Sequence, residues 1–554
     1  MMVIVKSYFA LKFVNPSILP DEAVYSSIAK NIPSGKFTSG IQFTETYPPG
    51  YPLFLAIANV SADADIAYHV MQIINCILSS SIIFPAFFTL KKFIGEEEAL
   101  YFSFAVSCIP SVAIYFPFLM SENLFSPLFL FSACFLLEST SRKTPLFDFL
   151  SGFSVFFLFL TRTIGFAMIP GLLIALAYRV RLSKDRKYPT ILKSEGLMLL
   201  SFVLPFFVWY YYKANNPVPQ LSVQELSDAS GGYAISIYLA TLNAALSSMP
   251  SFLNFLTLLI HEIDYMTLTT YLAFLIFAVY SIYRWSFLER KHEFLIFASY
   301  TSISLILTIF ITLVHMYHAV THGLDYYTIF GRYLDPLVAP IFMMGVVGFY
   351  QFQKNKERKS SLVITDSYLL AGLCLLLLIT FAYTFPYDAR FFEANLVAIS
   401  YLASPDFHPL LSILAGLFIF SFMLIIPKNS TLIKTLLVLL IMTSVMFNSA
   451  IILVPTINPA SVEDVYHIAR YLQKSASADT LTLFDSEVLD YDQSFVWFPI
   501  NFWSKSRLML YPLNNSHACP DLKADYLISN KTLSYPYKNV TSDGAYSLYN
   551  IKSC

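Results

Sequence analysis

Two adjacent carboxylates, Asp21 and Glu22, stand in the segment Pro20-Asp21-Glu22-Ala23-Val24-Tyr25. A carboxylate at a bilayer surface can take the proton of an acceptor hydroxyl as a general base. Alone, the pair reads as a helix start, with Asp21 as N-cap and Glu22 in the first turn, and residues 29–32 continue a short helical pattern. Its neighbours in the chain add chemistry. Phe43-Thr44-Glu45-Thr46-Tyr47-Pro48-Pro49-Gly50-Tyr51-Pro52 has the Pro and Gly density of an ordered, surface-hugging path. Met120-Ser121-Glu122-Asn123 brings another carboxylate. Thr161-Arg162-Thr163-Ile164-Gly165, with Pro170, and Gly331-Arg332-Tyr333-Leu334-Asp335-Pro336, with Pro340, each bring a guanidinium. A guanidinium holds two phosphate oxygens at once. Headgroup snorkelling accounts for Arg162 equally well.

The histidines offer a second chemistry. His315, His318 and His322 fall on one helix face with Asp325 beyond, a spacing that could hold a metal. An interfacial helix with polar residues turned to water explains it more simply. His261-Glu262-Ile263-Asp264 reads the same way, with an external cation site as its functional alternative.

These residues need positioning elements, and the composition says which kind. Of 554 residues, 56% are hydrophobic and only 13% charged, about half the charge of a soluble domain. The apolar residues come in long runs; Tyr368 to Phe385 holds no charge at all. About 18 apolar residues cross a bilayer core as a helix, and only helices or closed barrels cross at all. The runs are too long and too apolar for barrel strands. An aromatic share of 17% suits interfacial belts. A net charge of -1 gives nucleic acid no footing. No cleavable signal pattern is evident, and the first spans would serve for targeting.

Spans are expected at 1–14, 69–90, 99–118, 124–138, 146–160, 164–179, 196–212, 268–283, 294–314, 333–350, 367–385, 409–427 and 432–454, about 13 in all. The run 252–260 is too short to cross and reads as interfacial or re-entrant. Alternate loops hold 19 Lys and Arg against 6 in the opposite set, the tail left aside. By the positive-inside rule the rich set is cytoplasmic, so the N-terminus lies inside and the tail outside. The first span covers only about 21 Å as a helix and contains Lys6 and Lys12, so a start upstream is expected. Residues 1–455 read as the membrane domain and 456–554 as a small extracytoplasmic α/β domain. Cys76, Cys108, Cys134 and Cys374 fall in spans and read as packing residues, whereas Cys519 and Cys554 lie in the tail, where an oxidising compartment permits a disulfide. The tail also holds sequons at Asn514, Asn530 and Asn539.

Taken in order, the segments around Asp21, Tyr47, Glu122, Arg162 and Arg332 resemble the GT-C glycosyltransferases, in the branch of lipid A aminoarabinose transferases and protein O-mannosyltransferases. That branch has an Asp-Glu pair after the first helix, then a Pro-rich Tyr-Pro segment. A Ser-Glu pair follows the third helix, and an Arg-Tyr with trailing prolines comes late. The resemblance covers 15–180 and 331–340 and is absent from the tail. It implies an all-α polytopic membrane domain with a small extracytoplasmic C-terminal domain. Asp21 matches the catalytic carboxylate and Glu22 its partner. Arg332, Tyr333, Arg162 and Glu45 match donor and phosphate contacts, and Tyr47 and Glu122 match acceptor or loop positioning. In the aminoarabinose branch a Lys that meets lipid phosphate follows the Glu45 position; Thr46 stands there in this chain, which leaves Arg332 as the best cation.

The resemblance implies an inverting transferase that moves a sugar from a polyprenyl- or dolichyl-phosphate carrier to an extracytoplasmic glycan, lipid or protein. Its partners are that donor, the acceptor and membrane lipids. No cofactor is required by it, and a divalent cation is left open. The rival reading is a lipid or solute transporter, which would place charges mid-span; almost none are visible. A scaffold that keeps the fold without activity is the third.

Overall fold

The computed structural model describes residues 2–11, 20–38, 47–61, 63–142, 144–182, 188–215, 235–285, 291–321, 331–357, 362–384, 409–425, most of 431–440, 459–477, 480–485, 500, 503, 507–511, 523–533, 538–543 and 546–552. The membrane part opens with α1 (Met2–Ala10), α2 (Pro20–Asn31), α3 (Gly50–Leu55), α4 (Ala64–Ser80), α5 (Ile83–Leu90), α6 (Glu96–Cys108) and α7 (Pro110–Ala113). It continues with α8 (Glu122–Arg142), α9 (Pro145–Thr161), α10 (Met168–Leu182), α11 (Tyr188–Asn215), α12 (Ile235–Leu246) and α13 (Met249–Thr269). Then come α14 (Ala273–Tyr283), α15 (His292–Thr321), α16 (Gly331–Glu357), α17 (Leu362–Thr384) and α18 (Pro409–Ile425).

Among the described residues, seven helices are long and apolar enough to cross a membrane, or eight if the bent pair α12–α13 is one span. The chain is a multi-pass membrane protein. The expected 13 spans are not all found as single helices, for local reasons. The run 99–118 breaks at Ile109, whose extended ψ of 129° precedes Pro110; a residue before proline avoids the helical region. The run 268–283 breaks between α13 and α14, where Tyr271 and Leu272 have φ of 53° and 54°, values a side chain rarely tolerates. The run 252–260 lies inside α13, which turns 116° from α12. The end of the last expected span, 441–454, lies outside the described residues. In the first, Lys6 is buried and donates to Ser79 Oγ at 3.1 Å.

Burial orders the helices. The most apolar stretch of α16 is 89% buried against 11% for α11 and 22% for α17, so α16 is the central post while α11 and α17 show apolar faces to lipid. Small residues seat α14 on α16: a Cβ on Gly345 or Gly348 would collide with the carbonyl of Phe274 or Phe277. Glycine there lets two backbones touch, as dispersion-driven packing in lipid requires.

The tail carries α19 (Pro459–Ser475) and β1 (Leu481–Asp485), β2 (Arg507–Tyr511), β3 (Tyr526–Ser529), β4 (Lys538–Asp543) and β5 (Tyr546–Asn550). The sheet order is β2-β1-β3-β5-β4. β1 runs parallel to β2 and β3, and β5 antiparallel to β3 and β4. β1 lies between β2 and β3, and its Leu483 and Phe484 are both buried, as a strand covered on both faces needs. The expected class, a polytopic helical domain with a small α/β domain, is what the chain adopts. The tail docks on the head of α4, where Asp65 accepts from Arg470 at 2.6 and 2.8 Å and from Trp503 Nε1 at 3.0 Å. It therefore sits at the same end of the bundle as α2. Cys519 and Cys554 lie outside the described residues.

Candidate active site

Four segments distant in sequence meet where α2, α8 and α16 begin and α9 ends. In α2, Pro20 at the first position presets the helical φ, and Asp21 and Glu22 fill the first turn, where the helix dipole favours carboxylates. Asp21, read from the sequence as an N-cap, lies inside the helix, and Glu22 is in the first turn as expected. Asp21 accepts from Tyr47 and from Arg332. Glu22, 1% exposed, accepts the Leu119 N–H at 2.7 Å.

Leu119 belongs to the turn-rich segment between α7 and α8, and polar side chains bind its carbonyls. Asn123 Nδ2 donates to Tyr115, Phe118 and Met120 oxygens at 2.7, 3.0 and 3.1 Å. Asn75 Nδ2 also reaches Phe118 O at 2.7 Å, with Tyr51 OH donating to Asn75 Oδ1 at 2.7 Å. The segment delivers Ser121 and Glu122 to the site. Glu122 accepts from Arg162 and Arg332 on one oxygen, and from Ser121 Oγ at 3.3 Å on the other. Tyr25, one turn after Asp21, donates to Ser121 Oγ at 2.8 Å.

Local backbone aims both arginines. Arg162 ends α9 in extended backbone, with φ -150° and ψ 141°, and its guanidinium pairs with Glu122. The close approach of α3 secures that exit, since a Cβ on Gly50 would stand 2.6 Å from the Leu160 carbonyl oxygen. The Arg162 guanidinium lies 5.2 Å from the Tyr333 ring centre, a cation–π distance. Arg332 opens α16, where Pro336 has no N–H to return to the Arg332 carbonyl. One turn deeper, Asp335 accepts from Tyr115 and Tyr265, tying α16 to the 115–121 segment and to α13.

Exposure separates the roles. The side chains of Asp21 and Arg332 are 11% and 12% exposed, whereas that of Glu122 is 0%. The Asp21–Arg332 edge is thus the reachable one, and Glu122 is the sealed joint behind both arginines. Burial first, and the Asp21 carboxylate second, raise the Tyr47 hydroxyl well above its ordinary pKa. It stays a donor through the neutral range. Tyr25 is raised for the same reasons. A hydrogen bond to a charged group contributes about 1.5 kcal/mol or more, so Tyr47→Phe should slow turnover about tenfold while leaving the thermal midpoint nearly unchanged. Equal rates for Tyr47→Phe and the unaltered chain would detach Tyr47 from Asp21's task.

The structure thus brings together Asp21, Tyr47, Glu122, Arg162, Arg332 and Tyr333 from the sequence-derived set. Glu22 lies beside them but is turned to Leu119. Glu45 lies outside the described residues, as do His322 and Asp325. His318 Nδ1 sits 3.2 Å from Thr241 Oγ1. Among the described residues no group of three His, Cys, Asp or Glu side chains is placed to hold a metal. Sequence reasoning missed Tyr25, Ser121, Asp335, Tyr115 and Tyr265. The first three sit inside the quoted motifs, Tyr25 one helical turn from Asp21; the last two carry no local signal.

No protein-family model matches the sequence, and no curated protein does. Among solved structures the chain is similar to ArnT from Cupriavidus metallidurans bound to undecaprenyl phosphate. The TM-score is 0.54 at 12% identity, over 99% of this chain and 96% of that one. ArnT from the same organism in the apo state gives a TM-score of 0.53 at 12% identity, over 100% and 97%. The likeness runs through the membrane helices and the C-terminal sheet domain alike. The chain therefore shares the overall fold of these ArnT structures.

Proposed function

We propose that this chain is a membrane glycosyltransferase that moves a sugar from a polyprenyl or dolichyl phosphate to an acceptor hydroxyl on the extracytoplasmic side. The observation that carries the reading is the partly open Asp21–Arg332 pair, fixed from behind by Glu122 and Arg162. A base and a phosphate-binding cation side by side at the outer end of a helix bundle suit one displacement. Arg332 binds the donor phosphate. Asp21 removes the acceptor proton. The acceptor oxygen bonds to the anomeric carbon as the carbon–phosphate oxygen bond breaks, which inverts that centre. The lipid phosphate leaves with its new charge held by Arg332. Glu122 and Arg162 position Arg332, and Tyr47 orients Asp21. That ArnT from C. metallidurans was solved with undecaprenyl phosphate supports a carrier of that class.

In this reading 1–455 form the catalytic membrane domain and 456–554 the extracytoplasmic domain. The transporter alternative gains nothing from this network, because its charges gather at one end of the bundle instead of lining a path across it. The donor class has a direct test. The purified chain in vesicles should turn over a labelled polyprenyl-phosphate sugar and ignore the matching nucleotide sugar. Use of the nucleotide sugar alone would overturn the reading.

Orientation is tested apart from chemistry. In a chain cleared of its 6 cysteines, single cysteines in 215–250 and 460–550 should react with an impermeant thiol reagent from outside. Those in 183–193 and 354–360 should not. The reverse pattern would put Asp21 in the cytosol and remove the account.

A further inference from the structure

The mechanism leaves the tail's sequons unused, and the structure sorts them. The full sequence holds five: Asn59-Val60-Ser61, Asn429-Ser430-Thr431, Asn514-Asn515-Ser516, Asn530-Lys531-Thr532 and Asn539-Val540-Thr541. Asn530 lies where the chain leaves β3, exposed together with Thr532. Asn539 is exposed on β4, the outermost strand of the sheet, beside a register shift between Asn539 and Thr541. Asn59 is different: half-buried under α2, it spends its amide on the Ala29 carbonyl at 2.5 Å.

We propose that Asn530 and Asn539 are N-glycosylation acceptors on the outer face. The modification bonds the anomeric carbon of a lipid-linked oligosaccharide to Nδ2. The carbon–oxygen bond to the lipid phosphate or pyrophosphate breaks, that lipid leaves, and one amide proton passes to the base of the transferring enzyme. The local structure survives this change. Asn539 Nδ2 donates to Ser542 Oγ at 3.0 Å, and a glycosylated amide keeps the one N–H that this bond needs. α19 packs against β4 through Val540, and Asn539 stays exposed beside that contact, so its amide is reachable in the folded domain. The Asp65 bonds to Arg470 and Trp503 hold this domain at the Asp21 end of the bundle, so the inference rests on the orientation proposed above.

Peptide mass spectrometry of the full chain purified from its native membranes tests it. Glycan mass is expected on the Asn530 and Asn539 peptides, with the Asn59 peptide bare. The Asn429 peptide, from the loop of Lys428 and Lys434, should also be bare because that loop faces the cytosol. Thr532→Ala and Thr541→Ala should each remove the glycan at their own site and leave transfer activity unchanged. Bare Asn530 and Asn539 peptides alongside outward cysteine labelling of 460–550 would overturn the inference and leave the transferase reading intact. Glycan on Asn429 would overturn the orientation and both readings with it.

Discussion

Replacing Arg332 with Ala is expected to cut kcat/KM for the lipid-phosphate donor by about 10²- to 10⁴-fold, with the acceptor KM within about twofold. Each charge-assisted hydrogen bond contributes about 1.5–3 kcal/mol, and two phosphate oxygens on one guanidinium account for the range. The neighbourhood makes the variant interpretable. Glu122 keeps Arg162 as a partner, so the substitution does not strand a fully buried carboxylate. Asp21 keeps the Tyr47 hydroxyl. Arg332→Lys should recover part of the loss, since an ammonium keeps the charge without the planar fork. Donor kinetics of Arg332→Ala equal to those of the unaltered chain would reduce Arg332 to a brace between α2, α8 and α16.

This loss is separable from one caused by misfolding. Glu122 and Arg162 are the sealed half of the network, and damage there should lower the thermal midpoint. Arg332 and Asp21 form the reachable half, and their loss should lower turnover first.

Much of the fold was legible because hydropathy over a whole span survives local irregularity. The helix 122–142 and the helix 331–357 follow from the apolar runs expected at 124–138 and 333–350, which need no knowledge of their neighbours. What was not legible is where a run bends. A sum over the residues from 99 to 118 does not register that Ile109 must leave the helical region ahead of Pro110, nor that the chain turns at Tyr271 and Leu272. The candidate site was legible as an ordered set of motifs, each with one group able to bind or move a proton. Their meeting was not, since Arg332 and Asp21 are 311 residues apart. Two of the tyrosines that brace it, Tyr115 and Tyr265, come from unrelated elements and join only through Asp335. Glu22 teaches the reverse lesson. Its place next to Asp21 marks it for chemistry, yet a helical step of about 100° per residue turns it to another face, where it holds a backbone N–H.

Asp21 carries the central claim, and its carboxylate can be removed with little disturbance. Asp21→Asn keeps the size of the side chain and still accepts from Tyr47. Arg332 stays anchored by Glu122. Membrane abundance and thermal midpoint should therefore stay close to those of the unaltered chain. The proton acceptor is gone, and loss of a general base costs about 10²–10⁴ in rate. The decisive measurement is single-turnover transfer in vesicles by Asp21→Asn and the unaltered chain, with a defined polyprenyl-phosphate sugar at saturating acceptor. A rate reduced by about 10²-fold or more, with donor binding retained, is what the account predicts. Unchanged single-turnover transfer by Asp21→Asn would contradict it and leave Asp21 as an ion-pair partner for Arg332.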